Sequence, residues 1–315
     1  MAKLPFAAKK IVREIVKTFL FFVLVFSFKP DVMILNGVTI TVLPSFMPLS
    51  TKLKAWKIIK KFKKIRTLLI VHAINPPKGK TLENAFDDVS CVDLIVCVEK
   101  WMQDLLSNKF PEKKIVWIHN GVDVRFFDFK MPEKNNHVLF VGRLSDDHGL
   151  DILLKAVHKI VKEFPDVKVR IVGDGPQRDN YLRLSQTLGL NDIVEFRGRI
   201  SHDKIPREYY WAFVVVNPIR VVAIGISTLE AMSCGRIVVK ACRNNNDGVI
   251  VDGFNGFLFE LGSVDSLAEK LRTCLSLSKD VIDNIALNAR KTVVEKFDEK
   301  KVFGRYESII RELCK

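Results

Sequence analysis

Long apolar runs are missing from this sequence. Its most apolar stretch, Thr18–Phe28, has eleven residues and lies between Lys17 and Lys29, whereas a helix needs about 20 to cross a bilayer core. Lys9, Lys10, Arg13 and Lys17 precede it as in a secretory leader, but FKPDV follows where a small-residue cleavage site belongs. A buried helix end or strand is the expectation, and a segment lying in a membrane interface is the second reading. Paired cysteines are missing too. Of the six, none forms a CxxC pair and no His stands at zinc-finger spacing from them, which excludes a disulfide framework and a zinc finger and leaves buried thiols in a reducing compartment. Acidic charge is scarce: 36 Asp and Glu face 50 Lys and Arg, a net of +14. Such a balance points to an anionic partner, either nucleic acid, an anionic membrane or a phosphorylated small molecule. No low-complexity tract and no solenoid period occurs. With 48% hydrophobic and 27% charged residues, the chain is neither disordered nor fibrous.

What is present is a two-part α/β pattern. The 315 residues suggest about two domains. Charge divides the same way, with 23 basic and 12 acidic side chains in residues 1–137 against 27 and 24 in 138–315. The spacing of Ile11, Val12, Ile15, Val16, Phe19 and Leu20 predicts a helix over about 8–20. Continuous apolar runs at 32–35, 68–71, 94–98 and 115–118 predict four buried strands. The polar, proline-containing segment 128–137 reads as a linker. A second series follows, with strands at 138–141, 167–172, 194–196, 213–216 and 237–239 and helical patterns at 150–163, 177–188, 226–233 and 264–277. Such alternation implies parallel sheets with right-handed crossovers.

In sheets of this kind ligands bind beyond the carboxyl ends of the strands, and four segments there carry suggestive residues. In VGRLSDDHGLDILL (141–154), Gly142 permits a tight turn and Arg143 offers a fork of donors suited to a diphosphate; a surface salt bridge is the alternative. In IVGDGP (171–176), Gly173 and Gly175 form a turn and Asp174 can accept from a base or ribose. FRGRI (196–200) sets Gly198 between two arginines, one of them Arg199. In NPIRVVAIGISTLEAMSCG (217–235), Gly225 opens a helix whose first residues, Ile226 and Ser227, present free N–H groups to an anion. Glu230 lies one turn in, where a ribose diol would satisfy a carboxylate that is costly to bury; local capping or pairing is the alternative.

Taken together and in this order, the four segments resemble the GT-B glycosyltransferases of the retaining family 4, with DGFNGFLF (252–259) as a further matching turn. The resemblance runs from about 29 to 310 through KPDVMILNG (29–37), TLLIVHAINPP (67–77), VDLIVCVEKWMQDLL (92–106), KKIVWIHNGVDVRFF (113–127) and VEKFDEKKVFGRYESII (294–310). It implies two Rossmann-like domains facing a cleft: an acceptor-side domain at 1–132, shortened relative to the family, a nucleotide-sugar domain at 133–293, and a C-terminal helix at 294–315 returning to the first. It implies sugar transfer with retention from a UDP- or GDP-sugar, with no metal and no other cofactor. Arg143 would neutralise the leaving diphosphate with the N–H groups near Gly225 and Ile226. Glu230 would hold the ribose. His72 matches a family His that approaches the sugar; an ordinary strand-end histidine is the alternative.

Three departures accompany the resemblance. Val222 stands where the family has the first Glu of its E-x7-E element, eight residues before Glu230. His148 replaces a Lys five residues after Arg143, removing a permanent charge. The family's opening strand and Gly-rich loop find no counterpart in MAKLPFAAKK. A catalytically weak nucleotide-sugar-binding subunit, or half of a split enzyme whose partner chain completes the acceptor side, is therefore the alternative function. Residues Lys52–Arg66 carry eight basic side chains and no acid. Helical spacing gathers Ala55, Ile58, Ile59, Phe62 and Ile65 on one arc and Lys54, Lys57, Lys60, Lys61 and Lys64 on the other. An anionic membrane surface is the expected partner, with a solvated face second. Nucleic acid comes last, since no recognition motif accompanies the segment. Location at the cytoplasmic face of a membrane is the corresponding expectation.

Overall fold

The structure is a computed structural model and describes residues 32–36, 66–72, 89–221, 223–243 and 248–315. The helix expected at 8–20, the apolar run Thr18–Phe28, Val222 and the basic segment 52–65 lie outside the described residues. Contacts divide the chain into two units, residues 1–119 with 302–315 and residues 120–301.

In the first unit, β1 (Val32–Asn36), β2 (Arg66–Val71), β3 (Leu94–Cys97) and β4 (Lys114–Trp117) form a parallel sheet in that order. Each apolar run of the sequence is one of its strands. Helix α1 (Lys100–Lys109) connects β3 to β4 and buries Met102 and Leu106. The C-terminal segment of the chain belongs here: Val302 joins Leu68, Leu94, Val96 and Ile118 in one core cluster, with Tyr306, Ile309, Ile310 and Leu313 packed against it. Arg305 Nη2 donates to the Trp117 carbonyl at 2.9 Å, and Lys114 pairs with Glu312 at 2.6 Å.

The second unit carries β5 (His137–Val141), α2 (Leu150–Ile160), β6 (Lys168–Val172), α3 (Arg178–Thr187), β7 (Val194–Gly198), α4 (Ile205–Trp211), β8 (Val214–Asn217), α5 (Ile226–Ser233), β9 (Ile237–Cys242), β10 (Phe257–Glu260), α6 (Val264–Leu275) and α7 (Lys279–Lys296). Its six strands are parallel in the order β10-β9-β8-β5-β6-β7. Alternation along each strand sends side chains to two separate cores. Val138, Phe140, Val214 and Val216 pack with α2 and α6 on one face. Leu139, Val215 and Val238 pack with Leu229 and Met232 of α5 and Ala289 and Val293 of α7 on the other. Both faces are covered, which is why the strands read as unbroken apolar runs. Strand order reverses between β5 and β8, and such an order places the ligand crevice at the carboxyl ends of those two strands.

Two boundaries differ from the sequence reading. Residues 128–137 were expected as a linker and the domains to part at 132/133, yet the units part at 119/120. The reason is a set of backbone bonds that lash residues 120–130 to the second unit. Val122 N–H donates to Phe297 at 2.9 Å, and Glu299 N–H to Val122 at 3.0 Å. Arg290 Nη1 and Ser233 Oγ both donate to the Phe127 carbonyl, at 2.9 and 2.6 Å, and Arg236 Nη2 donates to that of Lys130. The return to the first unit begins at Val302 rather than 294, because α7, ending at Lys296, packs its Val293 into the second core. A final helix, α8 (Glu299–Cys314), carries the chain to its end.

Candidate functional site

The carboxyl ends of β5, β6 and β7 are drawn together by glycines. Gly142 N–H donates to the Val172 carbonyl at 3.0 Å, and Gly173 N–H to that of Gly198 at 2.8 Å. Gly173 has φ +138°, and a Cβ there would lie 1.8 Å from the Gly142 oxygen. No other residue fits, on grounds of backbone conformation and of space. Leu144 N–H donates to the Asp174 carbonyl at 3.1 Å and the Leu144 carbonyl accepts from Gln177 at 2.9 Å, so the two loops are zipped into one rim.

Arg143 projects from this rim. It is exposed and makes no ion pair or side-chain hydrogen bond with any described residue, so the surface salt bridge is not formed and the fork is open to an anion. Arg199, beyond Gly198, is exposed and unpaired among the described residues in the same way. Asp174 is exposed and accepts from Gly175 N–H at 2.8 Å. His148 lies behind Gly142, its Cδ2 3.2 Å from where a Cβ on that glycine would be. Its Nδ1 stands 3.1 Å from Ser145 Oγ and 3.3 Å from Asp147 Oδ1. The Ser145 hydroxyl, 2.5 Å from Asp147, leads in holding that carboxyl below its usual range.

From the β8 side comes a helix N-terminus. Gly225, with φ +77°, is the N-cap of α5, and no side chain caps the helix. The N–H groups of Ile226 and Ser227 donate to no described residue, and they carry the positive end of the helix dipole. Asn217, at the end of β8, donates from Nδ2 to Thr228 Oγ1 at 2.9 Å and would sit 2.7 Å from a Cβ on Gly225. The amide thus braces the first turn, and Gly225 is what lets it come so close.

Glu230 is half-buried one turn further on. Its Oε2 accepts from the buried Tyr209 hydroxyl at 2.7 Å, while Oε1 accepts from no described residue. Burial pushes the carboxyl above its ordinary value; the Tyr209 hydrogen bond and the charge of His202 oppose that rise. The local partner of Glu230 is thus the Tyr209 hydroxyl on α4, not a cap of its own helix, and one oxygen is left for a ligand hydroxyl. His202, whose charge reaches that carboxyl, is stacked on Phe126 with centroids 4.9 Å apart and planes at 12°. His72 belongs to the first unit, just past β2, where desolvation lowers its imidazole below the usual value. The other expected site residues all lie in the second unit, at the ends of β5, β6, β7 and β8 or in the first turns of α5.

The sequence reading missed Tyr209, Asn217, His202 and Phe126. Asn217 had a signal, as the polar end of the apolar run FVVVN before Pro218. Tyr209 had none, since its partner is 21 residues away. A groove of roughly 630 Å³ opens on the far side of the β5 loop, lined by Asp146, Asp147, Asp151, Tyr181 and Arg220. Its arginine is occupied: Arg220 Nη2 pairs with Asp151 at 2.8 Å and Nη1 donates to the Asp146 carbonyl at 2.5 Å. With three carboxylates and one engaged cation, that groove is the wrong place for an anion. Among the described residues, no group of His, Cys, Asp and Glu is arranged to hold a metal ion.

A rim of glycines, an arginine unpaired among the described residues and an uncapped helix N-terminus stand at the strand ends of one α/β unit. The sequence gives the class: the glycosyl transferases group 1 model matches residues 123–292, more than half of the chain, and the chain belongs to that family. Among its relatives are an uncharacterized glycosyltransferase of Methanocaldococcus jannaschii, 31% identical over 219 residues (64% of this chain and 56% of the relative), and the D-inositol 3-phosphate glycosyltransferase of Mycolicibacterium smegmatis, 31% identical over 199 residues (58% and 45%). The chain thus spans about half the length of these curated relatives. Among solved structures, Anabaena HepE in complex with UDP superposes with a TM-score of 0.75 at 20% identity, covering 92% of this chain and 81% of that one. Sucrose-phosphate synthase from Thermosynechococcus elongatus gives 0.77 at 19%, covering 94% and 77%. The fold is the α/β arrangement of parallel sheets found in GT-B glycosyltransferases.

Proposed function

We propose that the chain transfers a sugar, with retention, from a nucleoside-diphosphate sugar to an acceptor held at an anionic membrane surface. What carries the nucleotide part is the open Arg143 fork just past β5 together with the uncapped N–H groups of Ile226 and Ser227, which open the helix that follows β8, the two strands between which the sheet order reverses. In this reading those groups take up negative charge as the sugar–phosphate bond breaks, which is where preorganised donors accelerate a reaction most. Glu230 Oε1 accepts from a ribose hydroxyl, and Tyr209 keeps its other oxygen in place. Asp174 and Arg199 flank the base. HepE, solved with UDP, supports a uridine diphosphate as the first nucleotide to try.

The membrane part rests on the sequence of Lys52–Arg66, with its eight basic residues and no acid. Among the described residues no helix is long and apolar enough to cross a membrane. The test is donor turnover by the full chain, screened with UDP- and GDP-sugars and lipid-linked acceptors. Transfer with the anomeric configuration kept supports the proposal, and inversion contradicts it. Binding of UDP or GDP without turnover, restored by a second chain, favours instead a nucleotide-sugar-binding subunit, the reading that Val222 in place of an acidic residue suggests.

A further inference from the structure

The hydroxyl of Tyr209 bears on what Glu230 can recognise. Tyr209 is fully buried on α4, in the core that Leu229 and Met232 of α5 share, and its ring is met edge-on by Phe127 at 5.9 Å. Its oxygen lies 2.7 Å from Glu230 Oε2 and 3.3 Å from the Ser227 carbonyl. A phenol has one proton to give, and the nearer, charged acceptor takes it. Burial lifts the phenol well above its ordinary value, and the Glu230 carboxylate beside it adds to the rise, so the hydroxyl is a donor at neutral pH.

A carboxylate held in this way has two unlike oxygens. Oε2 is bonded to a residue with none of its surface exposed, and so lies on the inner side of the group. Oε1 accepts from no described residue and is the oxygen left for a ligand. A carboxylate with both oxygens free takes the two hydroxyls of a ribose, one on each. This one turns a single oxygen outward.

We propose that Tyr209 is a positioning residue that sets nucleoside specificity: by holding Oε2 inward it makes Glu230 read one hydroxyl of the ribose and leave the other unread. The inference rests on the nucleotide-binding reading above and adds to it which analogues of the nucleotide the chain accepts. Tyr209 touches Glu230 and acts through it. The consequence is a one-sided tolerance. A site built to hydrogen-bond a hydroxyl rejects the analogue that lacks it, whereas removal of a hydroxyl that meets no partner costs little.

The experiment is calorimetric titration of the full chain with UDP, 2′-deoxy-UDP and 3′-deoxy-UDP, and with the corresponding guanosine compounds. For the base that the wild type prefers, one deoxy analogue should bind about tenfold or more weaker than the parent and the other within about threefold of it. Glu230→Ala should bind parent and analogues alike, which separates the carboxyl from any effect of sugar pucker. Tyr209→Phe frees Oε2 to turn outward, so the analogue formerly tolerated should fall away from the parent and the gap between the two analogues should narrow. A purely structural role for the tyrosine would lower all affinities together and leave that gap as it is. Should Tyr209→Phe fail to fold, Tyr209→Leu takes its place and the same gap decides. Equal losses for the two analogues or none for either, an asymmetry that survives in Glu230→Ala, or a gap unchanged without the tyrosine overturns the inference while nucleotide binding stands. A folded wild-type chain that binds neither UDP nor GDP overturns the nucleotide reading itself, and this inference with it.

Discussion

Glu230 illustrates how one residue can cost the empty protein stability and serve the bound one. Its carboxyl is pushed up by burial, so the folded chain resists its ionisation. Below the ordinary glutamate value the group is neutral in both folded and unfolded chains and the penalty is absent. As pH rises through the raised value the penalty grows, and above that value it is full. Glu230→Gln should therefore raise the thermal midpoint of the ligand-free chain at pH 7–8 and leave it unchanged near pH 3–4, which scanning calorimetry at the two pH values checks. Glu230→Ala should weaken nucleotide binding by about 1.5–3 kcal/mol, the worth of a charged hydrogen bond. Tyr209→Phe removes the donor that opposes the rise, so the carboxyl should titrate higher still. Gly173→Ala should cost on the order of 2–4 kcal/mol of unfolding free energy, because its Cβ meets the Gly142 carbonyl within 1.8 Å. A denaturation midpoint equal to wild type would mean that the rim is looser than its bonds imply.

At the scale of elements, legibility followed locality. The apolar runs became the strands, and in the second unit both faces of the sheet are covered. The residues for α5, 226–233, were readable to the residue from Gly225 before it and Gly235 after it. The rim glycines and Arg143 were readable because strand ends in parallel sheets are where ligands go. Several elements escaped, helices α1 and α7 among them. The strand β10, FLFE, is four residues long and begins inside the turn motif DGFNGFLF that drew attention. Helix α4, IPREYYW, is short, has a proline at its second position and lacks a clear apolar period. The docking of residues 120–131 on the second unit was not legible, and 128–137 read as a linker, because the anchors Ser233, Arg236 and Arg290 lie more than a hundred residues downstream of the carbonyls they hold. Arg290 alone donates to the carbonyls of Val124, Phe127 and Ser233. Arg290→Met, which keeps apolar bulk, should cost about 2–3 kcal/mol by leaving the partly buried carbonyls of Val124 and Ser233 unmatched, that of Phe127 keeping the Ser233 hydroxyl. It should also open residues 120–131 to amide exchange ahead of the sheet. Exchange of that segment only with global unfolding would show that the arginine is not its main clamp.

At the scale of the molecule, the net charge of +14 and the basic segment Lys52–Arg66 set the expected environment. The full chain should sediment with vesicles containing anionic lipid and release them as salt rises, each lysine near the surface being worth about 1 kcal/mol. Reversing Lys57, Lys60, Lys61 and Lys64 to Glu should abolish this without unfolding the chain. Equal sedimentation with neutral vesicles would remove the membrane from the account and leave the segment to an acidic protein partner or to solvent. The central claim, however, is the anion-binding crevice of the second unit. Calorimetric titration of UDP and GDP into the wild-type chain and into Arg143→Ala tests it most directly. The account predicts that the wild type binds at least one of the two more tightly than the matching nucleoside, and that Arg143→Ala loses most of that difference while its nucleoside affinity stays. A folded wild-type chain that binds neither, or an Arg143→Ala variant whose diphosphate preference is intact, would contradict it.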